Sequence, residues 1–190
     1  MLRFSFCSLL SLCLLTQTAY AQGAWWQVIL SDASVVEVQQ TLQEGGEWYT
    51  CEAQESADAF CLDDFHYYQQ HLYGEANAEA KAIRLIFLTD YQPQNLSELI
   101  LNLRKDGLVM KRIAIQGEQY DVAEALKHNS PEVVDKALVL FINRYPQQVP
   151  RRIDWVLAQE FGSPAPRLNV TLNVTLNSDG EMIKLEVIRF

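Results

Sequence analysis

Glycine is scarce in this chain: eight residues in 190, none at the spacing of a phosphate-cradling loop. Where a dinucleotide fingerprint would follow an apolar run, the chain reads Tyr91-Gln92-Pro93-Gln94. The Gly-x-Ser-x-Gly turn of one large hydrolase class is missing as well. Beyond residue 21 no stretch reaches the about 20 apolar residues that a spanning helix needs. Basic residues are the minority, 15 against 24 acidic, for a formal charge of −9. That balance disfavours nucleic acid, whose phosphates call for a basic patch, and an anionic membrane surface. No internal repeat and no low-complexity tract is visible in the sequence.

What is present begins with an export signal. Met1-Leu2-Arg3-Phe4 carries one positive charge, an apolar run covers Phe6 to Leu15, and Ala19-Tyr20-Ala21 offers small residues at the cleavage positions. Residues 1–21 are therefore expected to be a cleaved signal peptide. Its removal takes one arginine and no acid, moving the charge from −9 to −10. The expected address is the periplasm or the secreted fraction, with no stable membrane insertion after cleavage.

Four cysteines are encoded, and Cys7 and Cys13 leave with the signal segment. Cys51 and Cys61 remain, with one possible pairing. In an oxidising compartment a disulfide is the expected outcome. Nine residues between them exclude a thioredoxin-type redox pair, which has two.

The pattern of apolar residues predicts the elements. Gly23 to Leu30 reads as a strand. Val35, Val38 and Leu42 give a one-faced helix after a Ser31-Asp32 cap. Residues 22–74 form an aromatic-rich, disulfide-containing segment, with a helix expected over Asp63–Tyr73. A boundary to an α+β unit, residues 75–190, is placed near Gly74–Asn77, although the two segments are also compatible with one domain. Ala76–Ala82 reads as a helical lead-in or a linker. Ala82 to Tyr91 is a buried strand, Leu96 to Leu103 a helix and Leu108 to Ile115 a second strand, a strand–helix–strand unit. Helices follow at Tyr120–His128, after Ser130-Pro131, and over Arg151–Phe161. From Leu168 the chain alternates apolar with Asn and Thr, and Asp179-Gly180 signals a hairpin with Leu176 opposite Ile183. The fold class expected is α+β: a small mixed sheet, helices packed on it, and a C-terminal antiparallel hairpin.

Asp63, Asp64, His66 and His71 are the candidates for acid–base or metal chemistry. On a helix His66 and His71 diverge, and a metal site needs three or four ligands, so no metal and no cofactor is expected. Asn169-Val170-Thr171 and Asn173-Val174-Thr175 match a glycosylation acceptor, but the pattern also falls directly out of period-two alternation. Trp25, Trp26 and Trp48 suit either a core or a binding surface. The reading reached is an exported, non-catalytic interaction or accessory assembly module, with another envelope or secreted protein as partner. The alternatives are a hydrolase using the Asp63–His71 segment, and a small-ligand binder with a pocket beside the tryptophans.

Overall fold

The computed structural model describes residues 23–51, 59–79, 81–161 and 172–190. The leader, the first acceptor pattern at Asn169 and the start of the C-terminal alternation lie outside them. Helices α1 (Ala24–Leu30) and α2 (Val35–Glu44) precede strands β1 (Tyr49–Thr50), β2 (Ala59–Tyr67), β3 (Gln70–Glu79) and β4 (Ala82–Asp90). Then come α3 (Pro93–Lys105), β5 (Leu108–Ile115), β6 (Glu118–Asp121), α4 (Val122–Leu126) and α5 (Pro131–Ile142). Strands β7 (Arg151–Leu157), β8 (Leu172–Ser178) and β9 (Met182–Arg189) close the chain.

Local chemistry accounts for the longer helices. Ser34 and Glu37 form a reciprocal capping box at the start of α2, displacing the expected Ser31-Asp32 cap by three residues. Pro93 stands in the first turn of α3, and Gly107, at φ +85°, takes the left-handed conformation just past its end. Val134, Leu138 and Phe141 bury one face of α5, which begins Ser130-Pro131 as expected.

The strands form one antiparallel sheet, ordered β1-β2-β3-β4-β9-β8-β7-β5-β6. The α+β class stands, but the sheet is not mixed. Strands β4 and β5 point the same way, yet β9, β8 and β7 lie between them, so the β4-α3-β5 unit is not a neighbouring crossover. The order also contains a repeat of topology. A helix followed by four strands occurs as α2-β1-β2-β3-β4 and again as α3-β5-β7-β8-β9, with β6-α4-α5 inserted in the second. The two halves join where β4 pairs with β9.

Several sequence readings are corrected. Residues 24–30 form a helix, because Trp25, Trp26 and Ile29 share one buried face. Asp63–Tyr73 is not a helix but the two arms of the β2–β3 hairpin, turning at Tyr68-Gln69. A bulge sets Asp63 and Asp64 opposite the single residue Tyr73, so Leu62 and Phe65 stay inward at a spacing that mimics a helix. Ala76–Glu79 belongs to β3, and Tyr120 to β6. Arg151–Leu157 is strand β7 with Ile153, Trp155 and Leu157 inward, followed only by a short 3-10 turn at Ala158–Glu160. In the C-terminal hairpin Leu176 pairs with Leu185 and Ser178 with Ile183, two residues from the expected register. The Asp179 side chain accepts the Glu181 and Met182 N–H groups and lengthens the turn. A two-residue shift preserves the period, so every inward residue stays inward.

One phase of each long strand faces a single apolar core. Ile83, Leu85 and Phe87 of β4 and Ile183, Leu185 and Val187 of β9 meet buried residues from all five helices. The other sheet face carries no helix among the described residues.

Candidate functional site

The hairpin brings the predicted residues together in a way a helix would not. His66 and His71 are Cα partners across β2 and β3. Asp64 Oδ1 lies 3.2 Å from His66 Nδ1 and 3.3 Å from His71 Nε2. The His71 ring also meets Tyr73 edge-on at 4.7 Å. Asp63 contributes its carbonyl oxygen, 3.1 Å from His71 Nε2, while its side chain is turned to solvent. All three interacting side chains are well exposed. Among the described residues no group of three or more His, Cys, Asp or Glu is arranged to hold a metal ion. No described Ser, Thr or Cys hydrogen-bonds either imidazole. The cluster is an exposed hydrogen-bonded trio on the sheet surface rather than the floor of a cleft.

Cys51 and Cys61 form the expected disulfide. It sits beside the short β1–β2 pairing, where Tyr49 is the partner of Cys61.

Trp25, Trp26 and Trp48 are packed into the core, whereas Trp155 borders a hollow beside Asp154. Trp25 packs on Trp26, Trp48, Phe65 and Phe87 with ring centroids 4.7–5.9 Å apart. All are buried. Their packing fills the space around Trp25 with aromatic rings.

Two constellations escaped the sequence reading. The first is structural. Trp26 Nε1 and Tyr67 Oη donate to Asp106 Oδ2 at 2.7 and 2.6 Å, and Tyr68 Oη donates to Oδ1 at 2.7 Å. One carboxylate thus ties α1, the β2–β3 hairpin and the α3–β5 turn. Burial, then the hydrogen bond and charge of Asp106, push the Tyr67 phenol far above its ordinary range. Tyr68 adopts φ +58°, a costly conformation for an aromatic residue, and its phenol is held in place by the same carboxylate.

The second constellation lies on the helix-free face. Glu186 of β9 and Asp154 of β7 both face Thr175 of β8, in one transverse row. Each carboxylate serves two cations. Glu186 takes Arg84 at 3.2 Å and Lys184 at 3.9 Å. Asp154 takes Arg112, at 2.9 Å from Nε and 2.5 Å from Nη2, and Arg152 at 2.9 Å. Burial pushes the Asp154 carboxyl up, but the hydrogen bonds from Arg112 and Arg152, with their charges, outweigh it and hold the group below the usual range. The acids are 16–18 % exposed and the four cations 40–59 %. A bulge in β5 between Met110 and Arg112 places Lys111 beside Arg112, adding a fifth cation to this region. Beside the row is a hollow of ≈ 580 Å³ lined by Leu88, Ala114, Arg152, Asn177, Met182 and Lys184. A sequence signal existed for part of this. Lys184 and Glu186 alternate with Ile183, Leu185 and Val187, which marks an outward face. Nothing local connects them to Arg112 or Asp154.

Comparison with protein families, curated proteins and solved structures gives no match to this chain.

Proposed function

We propose that this chain is an exported, non-catalytic interaction module of the cell envelope or secreted fraction, and that the helix-free face of its sheet is the working surface. The observation that carries the reading is the one-sided packing. All five helices bury their apolar faces against one side of nine strands, leaving the other side open among the described residues. A wide sheet face with an open hollow suits a protein partner better than a small substrate, whose sites are concave and enclosing. The described residues contain no helix long and apolar enough to cross a membrane. The Cys51–Cys61 disulfide is compatible with export.

The test is a photo-crosslinking amino acid at Val156, on the open face, compared with one at Val139, exposed on α5. One defined adduct from position 156 in the native envelope or culture fraction, and none from position 139, is the expected result. Adducts only from position 139, or from neither, would overturn the reading.

The meeting of Asp64 with His66 and His71 favours a second reading, acid–base hydrolysis. It requires a hydrolytic activity that His66→Ala with His71→Ala abolishes. An activity screen that finds none, or finds one indifferent to both substitutions, removes it.

A further inference from the structure

We infer that the hollow between the β2–β3 turn and the start of α3 binds a neutral saccharide, held by Asp90, Gln92 and Gln69 and laid against the ring of Tyr73. The site goes beyond the open-face reading and does not rest on it. The hollow measures ≈ 480 Å³, within the range of about 300–1,000 Å³ of small-molecule sites. One wall is the start of β3, one the end of β4 and one the first turns of α3. Hydrogen bonds fix these walls to one another. The buried Gln70 donates through Nε2 to the Asn95 carbonyl at 2.8 Å and to Glu98 Oε2 at 3.3 Å, tying the hairpin to α3. Gln94 Nε2 donates to the other Glu98 oxygen at 2.9 Å. A hollow held this way has little freedom left to lose when it is filled.

The groups left over select the ligand. The side chains of Asp90, Gln69 and Gln92 make no hydrogen bond or ion pair among the described residues. Gln70 Oε1, in the wall, is also without a hydrogen-bond partner among them. Helix α3 starts without a side-chain cap, so its first N–H groups remain available as donors. Each carboxamide offers donors and an acceptor, and a hydroxyl does both, so a row of hydroxyls satisfies a set that contains both. No lysine or arginine lines the hollow among the described residues, and Lys184, opposite Leu88 on β9, pairs with Glu186. The charges of Asp90 and Glu98 therefore repel an anion. Glu98 already accepts from two amides, which leaves Asp90 as one uncommitted carboxylate among neutral groups, too little to hold a cation in preference. The Tyr73 ring, 57 % exposed at the rim, supplies the flat apolar surface on which the C–H face of a sugar packs.

The probes are maltotriose, cellotriose and tri-N-acetylchitotriose, with trigalacturonate and spermidine in parallel, titrated into the mature, disulfide-bonded protein and followed by backbone amide NMR shifts. At least one neutral trisaccharide should bind and move the amides of residues 69–73 and 89–98, while trigalacturonate and spermidine leave them in place. Asp90→Ala should weaken that binding about tenfold, the worth of one hydrogen bond to a charged group. Tyr73→Ala should weaken it as well. So should Gln92→Ala, which removes an exposed side chain that makes no hydrogen bond and leaves the fold intact. Lys127→Glu on α4 should leave binding unchanged, and thermal melting checks that each variant folds. Failure of all three neutral sugars overturns the inference. So does spermidine or trigalacturonate binding at these residues in their place, or sugar binding that keeps its full strength in the Asp90, Tyr73 and Gln92 variants. The Val156 adduct is indifferent to these substitutions, so the open-face reading and the saccharide site fail separately.

Discussion

The indole N–H of Trp26 donates to the carboxylate of Asp106 at 2.7 Å, across 80 residues of chain. Asp106 accepts from Tyr67 and Tyr68 as well. Asp106→Ala therefore strands two fully buried donors, on Trp26 and Tyr67. A stranded buried donor costs about 1–3 kcal/mol, so we expect a loss of about 3–5 kcal/mol, read as a fall in the urea midpoint. Asp106→Asn keeps an acceptor and should lose less than half of that. Equal losses for the two variants would show that charge, rather than the hydrogen bonds, holds the junction.

Arg189 is fully buried on β9 and donates to the carbonyls of Ile29 and Ala33, pinning the α1–α2 connection to the last strand. Its Nε has no hydrogen-bond partner among the described residues. Arg189→Ala should cost about 3–5 kcal/mol from the cavity and the lost bonds. Arg189→Met, of similar length, should recover more than half, because filling the space matters more than a half-satisfied charge. Limited proteolysis between α1 and α2 distinguishes them: the alanine variant should be cut and the methionine variant should not.

Gln116 and Gly117 form the two-residue turn between β5 and β6, at φ +51° and +86°. Asparagine tolerates that left-handed position better than glutamine. Gln116→Asn should stabilise the protein by about 0.5–1 kcal/mol in urea unfolding. Gln116→Val should destabilise it, since a β-branched residue fits the position poorly.

The lowered Asp154 carboxyl makes stability depend on acid. Its contribution is complete above the ordinary carboxyl range and is lost as pH falls below about 4, through the lowered native value. The wild type should exceed Asp154→Asn in urea midpoint at pH 7, and the gap should narrow toward pH 2.5. A gap that stays constant with pH would show that the charge of Asp154 adds nothing.

Closing the loop between Cys51 and Cys61 should stabilise the fold by about 2–3 kcal/mol in a chain-entropy treatment. Mass spectrometry of the unreduced protein should show the loss of two hydrogens. Reduction, or Cys51→Ala with Cys61→Ala, should lower the melting temperature by a matching amount. An unchanged melting temperature would place this loop outside the cooperative unit.

Local pattern by itself determined the pieces whose signals lie within a few turns of chain. Helices α2, α3 and α5 announce themselves by one apolar stripe, and α5 also by its Ser130-Pro131 start, whereas the Ser31-Asp32 cap expected for α2 lies three residues before Ser34 and α3 takes in the expected turn at Pro93. Strands β4, β5 and β9 show in their apolar residues, and two cysteines left in the mature chain allow one disulfide. The same local logic misled where two periods coincide. Leu62 and Phe65 are three apart because Asp63 and Asp64 form a bulge, and three apart is also a helical spacing. Ile153, Val156 and Leu157 fit a helix as well as a strand, and pairing with β5 and β8 decided for the strand. The candidate site followed the same division. Asp64, His66 and His71 were legible as residues, but their meeting required the hairpin that sets the two histidines opposite each other. The cation row was not legible at all. Arg84, Arg112, Arg152 and Lys184 come from four strands separated by up to a hundred residues, and only the order β4-β9-β8-β7-β5 lays them side by side. Sequence fixes which face of a strand is wet through its period of two. Which strands become neighbours is settled by long-range packing of apolar faces, which no local window contains.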